Sequence, residues 1–199
     1  MKNTDYETNK GGAVAYLTQQ QLEQLNFKSL GKNVKISDCA KIYNTDRFEI
    51  GDNSRIDDFC VLSGKIKIDR NVHIAVYCNL AGGKYGIEFE DFSGLAYYGN
   101  IFTQSDDYLG ETLTGPTVPY QYKNETFGNV KIGKHSIIGS NSVIMPNAHV
   151  AEGCAIGAMS LVTKPTIPWG IYVGIPAKRI KERKQDLLTL EKLYLNSHS

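Results

Sequence analysis

The chain has 199 residues, 41% of them hydrophobic, with 22 Lys and Arg set against 21 Asp and Glu for a formal charge of +1. That size fits one medium domain with a continuous core, and such balanced charge offers no footprint for nucleic acid. No apolar segment follows Met1, so neither a signal peptide nor membrane insertion is expected. The four cysteines show no metal or disulfide spacing, and a cytoplasmic protein fits best.

Residues 1–14 are polar and are expected to be loose until docked. Thr18 then opens a short predicted helix carrying Leu22 and Leu25 on one side and ending near Gly31, a lid for whatever core follows.

From Ile36 a different pattern takes over. Large apolar residues alternate with small ones four positions later: Ile36 with Ala40, Ile50 with Ser54, Ile56 with Cys60, Ile68 with Val72, Ile74 with Cys78, Phe89 with Ser93 and Leu95 with Gly99. Ile42, Leu62, Leu80 and Ile101 continue the series. Two extra residues before Ile50 and the glycine-rich stretch Ala81 to Glu88 read as bulged corners.

The pattern is cleanest from Ile132 to Val162. A branched residue recurs every sixth position (Ile132, Ile138, Ile144, Val150, Ile156, Val162), and the fifth position of each unit is small (Ser136, Ser142, Ala148, Cys154, Ser160). Period six fits neither an amphipathic helix nor an ordinary strand pair. It fits a parallel β-helix with three short sides per turn, in which each turn buries its apolar residues against the next. Cys60, Cys78 and Cys154 fall on the small inward position and read as core filler.

Between Ile101 and Ile132 the periodicity stops. This stretch is too polar for core and too long for a featureless connection, so residues 103–129 are expected to form an ordered loop excursion. After Val162, Pro165, Pro168 and Pro176 forbid a helix until the last of them, and from Ala177 the residues Ile180, Leu187, Leu188, Leu190 and Leu193 predict a terminal helix. The expected division is an N-terminal extension with its helix (1–30), the β-helix (31–176) and a C-terminal helix and tail (177–199). Flat sides of triangular section also invite a homotrimer.

The repeated IG-x-x-S-x units, the loop excursion and the ending SLVTKPTIPWGIYVGIPAKRIKE resemble the hexapeptide-repeat acyltransferases of the galactoside, maltose and xenobiotic acetyltransferase type. The resemblance covers residues 30–185 and is specific for the superfamily rather than for its substrate. It implies an all-β, left-handed parallel β-helix, a trimer, and transfer of acetyl from acetyl-CoA to a sugar or nucleotide-sugar acceptor, with a place in polysaccharide biosynthesis as the expectation. Matched residue by residue, it puts the cofactor against Ser140, Ala158, Thr163, Lys164, Lys178 and Lys181, with Trp169 either covering the adenine or packing the C-terminal segment. Backbone beside Ser140 and Ala158 suits pantetheine amides, and the lysines suit phosphate.

The family histidine at the root of the loop is absent, and Asp106 stands at the same last position of a unit. Three bases compete: Asp106 with help from Asp107, His73 acting across a subunit boundary, and His149, which counting three sides per turn places about 4.8 Å from Asp106 on one side. His73 is the first choice because it precedes the glycine-rich irregularity. His135 falls mid-unit and reads as exposed or loop-contacting. Asn79, Tyr85 and Asp107 are the candidate acceptor contacts, and twelve tyrosines add flat surfaces for a carbohydrate. O-acetylation by direct attack is the first reading, with no covalent acyl-enzyme. N-acetylation of an amino sugar, a noncatalytic β-helix scaffold and a metal-bearing β-helix are its rivals.

Overall fold

The computed structural model describes residues 15–197, so the expectation for residues 1–14 lies outside it. Short strands stack in parallel into three flat sides. The first side holds Ser29–Leu30, Phe48–Ile50, Ile66–Ile68, Ile87–Phe89 and Val130–Ile132. The second runs from Lys35–Ile36 through Arg55–Ile56, His73–Ile74, Gly94–Leu95, Ile137–Ile138 and Ala155–Ile156 to Gly170–Val173. Lys41–Ile42, Val61–Ser63, Asn79–Ala81, Asn100–Phe102, Val143–Ile144 and Leu161–Val162 make the third. The chain visits the sides in that order and winds a left-handed parallel β-helix of about seven turns.

The six-residue period produces this coil directly. Ile36, Ile56, Ile74, Leu95, Ile138 and Ile156 stack in register on the second side, and Ile42, Leu62, Leu80, Ile101, Ile144 and Val162 on the third. Most are buried, each contributing about 1.5–3 kcal/mol by leaving water. The small fifth positions tie turns together as well as leaving room. Ser54 Oγ donates to the Asp69 carbonyl (2.7 Å), Ser136 Oγ to Ala151 (2.7 Å) and Ser142 Oγ to Gly157 (2.9 Å). Cys60, Cys78 and Cys154 are buried in the same role, while Cys39 is exposed.

Corners require left-handed backbone, and the chain supplies it with more than glycine. Asn33, Asn53, Asn71, Phe92 and His135 have positive φ at one corner, and Phe59, Tyr77 and Tyr98 at another. Asparagine tolerates that region, whereas aromatic residues do so at a cost. Ring stacking offsets it: Phe59 to Tyr77 spans 4.9 Å and Tyr77 to Tyr98 spans 5.0 Å between centroids. The two extra residues before Ile50 are absorbed by a 3-10 turn, Thr45–Arg47. At the glycine-rich irregularity, a Cβ on Gly64 would lie 2.2 Å from Gly83 N, so the two turns can touch only through glycine.

Helix α1 (Gln19–Gln24) starts at Thr18, whose side chain accepts from the Gln21 N–H while Gln21 caps back. Leu22 is buried as expected, but the helix stops well short of Gly31, with Leu25 as its half-buried C-cap. The excursion is ordered: Gln104–Ser105 pairs antiparallel with Thr126–Phe127, and Lys123 and Glu125 form a mostly buried ion pair (3.2 Å).

The terminal helix is shorter than the apolar spacing from Ala177 predicts. Lys178–Glu182 is instead a strand folded back antiparallel on Gly170–Val173, because Gly174 (φ 98°) permits the turn and the second side offers a free edge. Helix α2 spans Leu187–Ser197. It is fastened to the coil by Glu191, which meets Lys134 Nζ (2.6 Å) and His135 Nε2 (3.0 Å). Arg183 Nη1 donates to the carbonyls of His135 (2.6 Å), Gly153 (3.1 Å) and Cys154 (3.3 Å) at the same place. His135 is therefore buried at a corner against the C-terminal helix, where an exposed or loop-contacting position was expected for it.

Candidate active site

His73 projects from the second side, half exposed, and its Nε2 lies 2.8 Å from Asp57 Oδ2. Asp57 comes from the preceding turn and is buried, with only 5% of its side chain exposed. Its other oxygen accepts from Arg55 Nε at 2.5 Å. A buried carboxylate needs such partners to stay ionised, and Arg55 supplies the compensating charge. Asp57 in turn fixes the imidazole's orientation through the 2.8 Å contact at Nε2. Sequence reasoning named His73 as a candidate base and did not name Asp57 or Arg55, which the fold brings to it. The signal was an acidic residue directly after Ile56, where the other units of the second side carry Ser37, Ala75, Ala96, Gly139 and Gly157.

The neighbour of His73 on the next turn is Gly94, and the pairing continues to Ile137, Ala155, Ile171 and Lys181. A Cβ on Gly94 would touch only the His73 carbonyl, at 3.4 Å, so packing does not demand glycine there. Glycine inside a strand without a packing reason marks close approach of something else. Beside it opens a cleft of about 400 Å³ lined by His73, Ser93, Gly94, Ala96, Tyr97 and Ile137. Five strand steps separate His73 from Lys181, about 24 Å along one outward row. Small and apolar residues line that row between an acid–base group at one end and a cation at the other.

The remaining sequence candidates fall in several places. Asp106 accepts from Gly115 N (3.2 Å), and His149 Nδ1 accepts from Lys131 N (3.1 Å); no hydrogen bond joins the two. The turn count behind their pairing holds, since Ile101 does face Ile144, but the antiparallel pairing at Gln104 carries Asp106 out of the coil. Asp107 accepts from the N–H groups of Leu109, Glu111 and Thr112, which hold its carboxyl below the usual range. It braces the loop. Asn79 faces outward on the third side opposite Asn100, while Tyr85 stacks on Phe127 (5.4 Å) beside a separate cleft on the first side.

Thr163, Lys164, Lys178 and Lys181 are exposed toward the C-terminal turns, as a charged ligand would require. The N–H groups of Ser140 and Ala158 have no acceptor among the described residues and stay available at the corner beside the Ile137 row. Trp169 lies over Gly153, where a Cβ would sit 2.3 Å from its ring, and tilts toward His135 at 6.5 Å. Its packing role is thus accounted for. Hydrogen bonding with Cys60, together with burial, pushes the Cys78 thiol far up, which keeps it from acting as a nucleophile. Among the described residues no group of three or more His, Cys, Asp or Glu side chains can hold a metal ion.

The family model "Bacterial transferase hexapeptide (six repeats)" matches residues 129–164. An Escherichia coli dTDP-4-amino-4,6-dideoxy-D-glucose acyltransferase is 44% identical over 184 residues, 91% of this chain and 95% of that protein. The chain belongs to the hexapeptide-repeat acyltransferases. Among solved hexapeptide-repeat structures, AntD, an N-acyltransferase from Bacillus cereus crystallised with dTDP and 3-hydroxybutyryl-CoA, superimposes with a TM-score of 0.91 at 46% identity, covering 92% of this chain and 97% of that one. A point mutant of the same enzyme, with dTDP-4-amino-4,6-dideoxyglucose and coenzyme A, gives a TM-score of 0.92 at 46% identity, covering 93% of this chain and all of the other. No helix among the described residues is long and apolar enough to cross a membrane.

Proposed function

We propose that this protein is a CoA-dependent N-acyltransferase that acylates the amino group of a nucleotide-linked amino sugar. The observation that carries the reading is the His73–Asp57 pair beside Gly94, at one end of a row that reaches Lys181. The thioester lies beside His73, the pantetheine arm runs over Gly94, Ile137 and Ala155 with amide contacts from Ser140 and Ala158, and Lys164, Lys178 and Lys181 meet the phosphates. His73 takes the proton that the amine sheds as its nitrogen attacks the thioester carbonyl. The C–S bond then breaks, and CoA leaves as the thiol.

An amine replaces the hydroxyl that ranked first from sequence. The relative that matches along almost the whole chain is named for a dTDP-linked 4-amino sugar, AntD was crystallised with the same sugar, and no histidine stands at the root of the loop. An amine nucleophile asks less of a base than an alcohol does, which suits one half-exposed imidazole. Acyl transfer needs a backbone N–H or a similar donor at the developing oxyanion.

His73 and Arg55 lie on the second side, whereas Asn79 and the root of the loop at Gln104 leave from the third. The two sets face each other only between adjacent subunits, so the reading includes a homotrimer with Asn79 and Asp106 of one subunit closing the acceptor pocket of the next. The test is CoA release from an acyl-CoA with dTDP-linked 4-amino sugars and with the corresponding hydroxy sugars. Turnover confined to the amino sugars is expected, and equal turnover of hydroxy sugars would restore O-acylation.

A further inference from the structure

The chain crosses the second side once before the coil begins. Residues 15–18 run antiparallel along its open edge: Tyr16 bridges to Ser37, the Leu17 N–H donates to the Ile36 carbonyl (2.8 Å), the Asp38 N–H donates to the Ala15 carbonyl (2.9 Å), and Leu17 packs against the core. This strap sets the half-buried Tyr16 ring against the outward row that leads to His73. Lys35, Arg55 and His73 are successive neighbours on that row. Arg55 Cζ lies 5.5 Å from the Tyr16 ring centroid, and Lys35 Nζ lies 5.8 Å from it. Ser37, the bridge partner, is buried and donates to Asp58, the residue after Asp57, so the strap and the acidic corner are joined twice.

We infer that Tyr16 is a positioning residue for the proton transfer: its ring holds the Arg55 guanidinium against Asp57, and through Asp57 it holds the His73 imidazole. The inference rests on the reading of His73 as the base. Arg55 keeps 46% of its side chain exposed, and an exposed arginine paired with one carboxylate has many competing rotamers. A ring face against the planar guanidinium restricts them without occupying the Nε donor. That donor goes to Asp57 Oδ1 (2.5 Å), and Asp57 Oδ2 meets His73 Nε2 (2.8 Å). Were Arg55 to swing away, a buried carboxylate would lose its compensating charge and turn toward water. The imidazole would then lose its fixed orientation. Burial pushes the Tyr16 phenol up, so the residue meets the two cations through its ring and not as a phenolate.

The test measures CoA release from acetyl-CoA with dTDP-4-amino-4,6-dideoxyglucose in the parent and in three variants. Tyr16→Leu and Tyr16→Met remove the ring and keep the strap's backbone bonds, whereas Tyr16→Phe keeps the ring. The first two are expected to lower kcat about fivefold with KM for both substrates unchanged, and Tyr16→Phe to restore the parent rate. The loss should vanish when Tyr16→Leu is placed on Arg55→Gln or on His73→Gln, because all three act on one imidazole. A full rate in Tyr16→Leu and Tyr16→Met would overturn the inference. So would a loss shared by Tyr16→Phe, which would assign the role to the hydroxyl, or an undiminished loss on top of Arg55→Gln, which would make the residue merely structural. Parent activity in His73→Gln would instead overturn the reading of the base, and this inference with it.

Discussion

At the scale of single residues, the proposed site depends on an imidazole whose orientation is fixed from beneath. Asp57 is buried and carries Arg55 on one oxygen and His73 on the other. Replacing His73 with glutamine is expected to lower kcat by about 10²-fold with little change in KM for the acyl-CoA, because the side chain acts in proton transfer. Asp57→Asn should lower kcat by a smaller factor and shift the pH–rate profile, and rescue by Asp57→Glu would separate positioning from folding. Gly94 gives a sharper case. Gly94→Val places its side chain where only the His73 carbonyl is near, so thermal stability should stay close to that of the parent while activity falls at least tenfold. An active Gly94→Val protein would show that nothing lies over this position. His73 was singled out in sequence because it precedes the glycine-rich irregularity at Ala81 to Glu88. Asp57 was not, since a carboxylate after an inward isoleucine looks like ordinary surface until the next turn is laid over it.

Elements behave here as stacked layers. Each short strand is too small to be stable alone and gains its burial from the turns on either side. Leu95→Ala, in the middle of the stack, is expected to cost about 2–5 kcal/mol and to lower Tm accordingly, because the neighbouring turns cannot collapse into the space. Helix α2 is held differently, through charge. Burial works against ionised Glu191, but the hydrogen bonds from Lys134 and His135 outweigh it and hold its carboxyl below the ordinary value. A lowered folded-state pKa stabilises the docked form above the unfolded value, and that stabilisation is lost as pH falls through the folded one. The helix should therefore loosen in acid, below the usual carboxylate range, and Glu191→Gln should abolish the pH dependence. Trp169, the only tryptophan, sits beside His135 and reports the change through its fluorescence. The coil was readable from its period of six. The strand at Lys178–Glu182 was not, because its residues are all exposed and it is ordered by pairing with a neighbouring edge rather than by any apolar pattern of its own.

For the molecule as a whole, the three flat sides distribute function around the coil. His73, the proposed proton acceptor, and the row that suits a thioester arm share the second side, while Asn79 and the root of the ordered loop occupy the third. Period and phase told which residues point inward, and therefore gave the architecture. They could not tell that the excursion pairs with itself at Gln104–Ser105 and draws Asp106 away from His149, since that depends on antiparallel contacts with no periodic trace. The resemblance pointed to acyl transfer, and the 4-amino sugar of the relatives points to the nucleophile. The proposed homotrimer, with its site completed at the subunit boundary, makes activity depend on assembly, so dilution to monomers is expected to abolish turnover in parallel with loss of the trimer. The central claim is that His73 serves acyl transfer to an amine. It is tested most directly by the pH dependence of kcat/KM for CoA release with a dTDP-linked 4-amino sugar, in the parent and in His73→Gln. The account predicts turnover of the amino sugar and not of its hydroxy counterpart, with an ascending acid limb that disappears in the variant along with about 10²-fold of the rate. Full activity of His73→Gln with the same limb would contradict it.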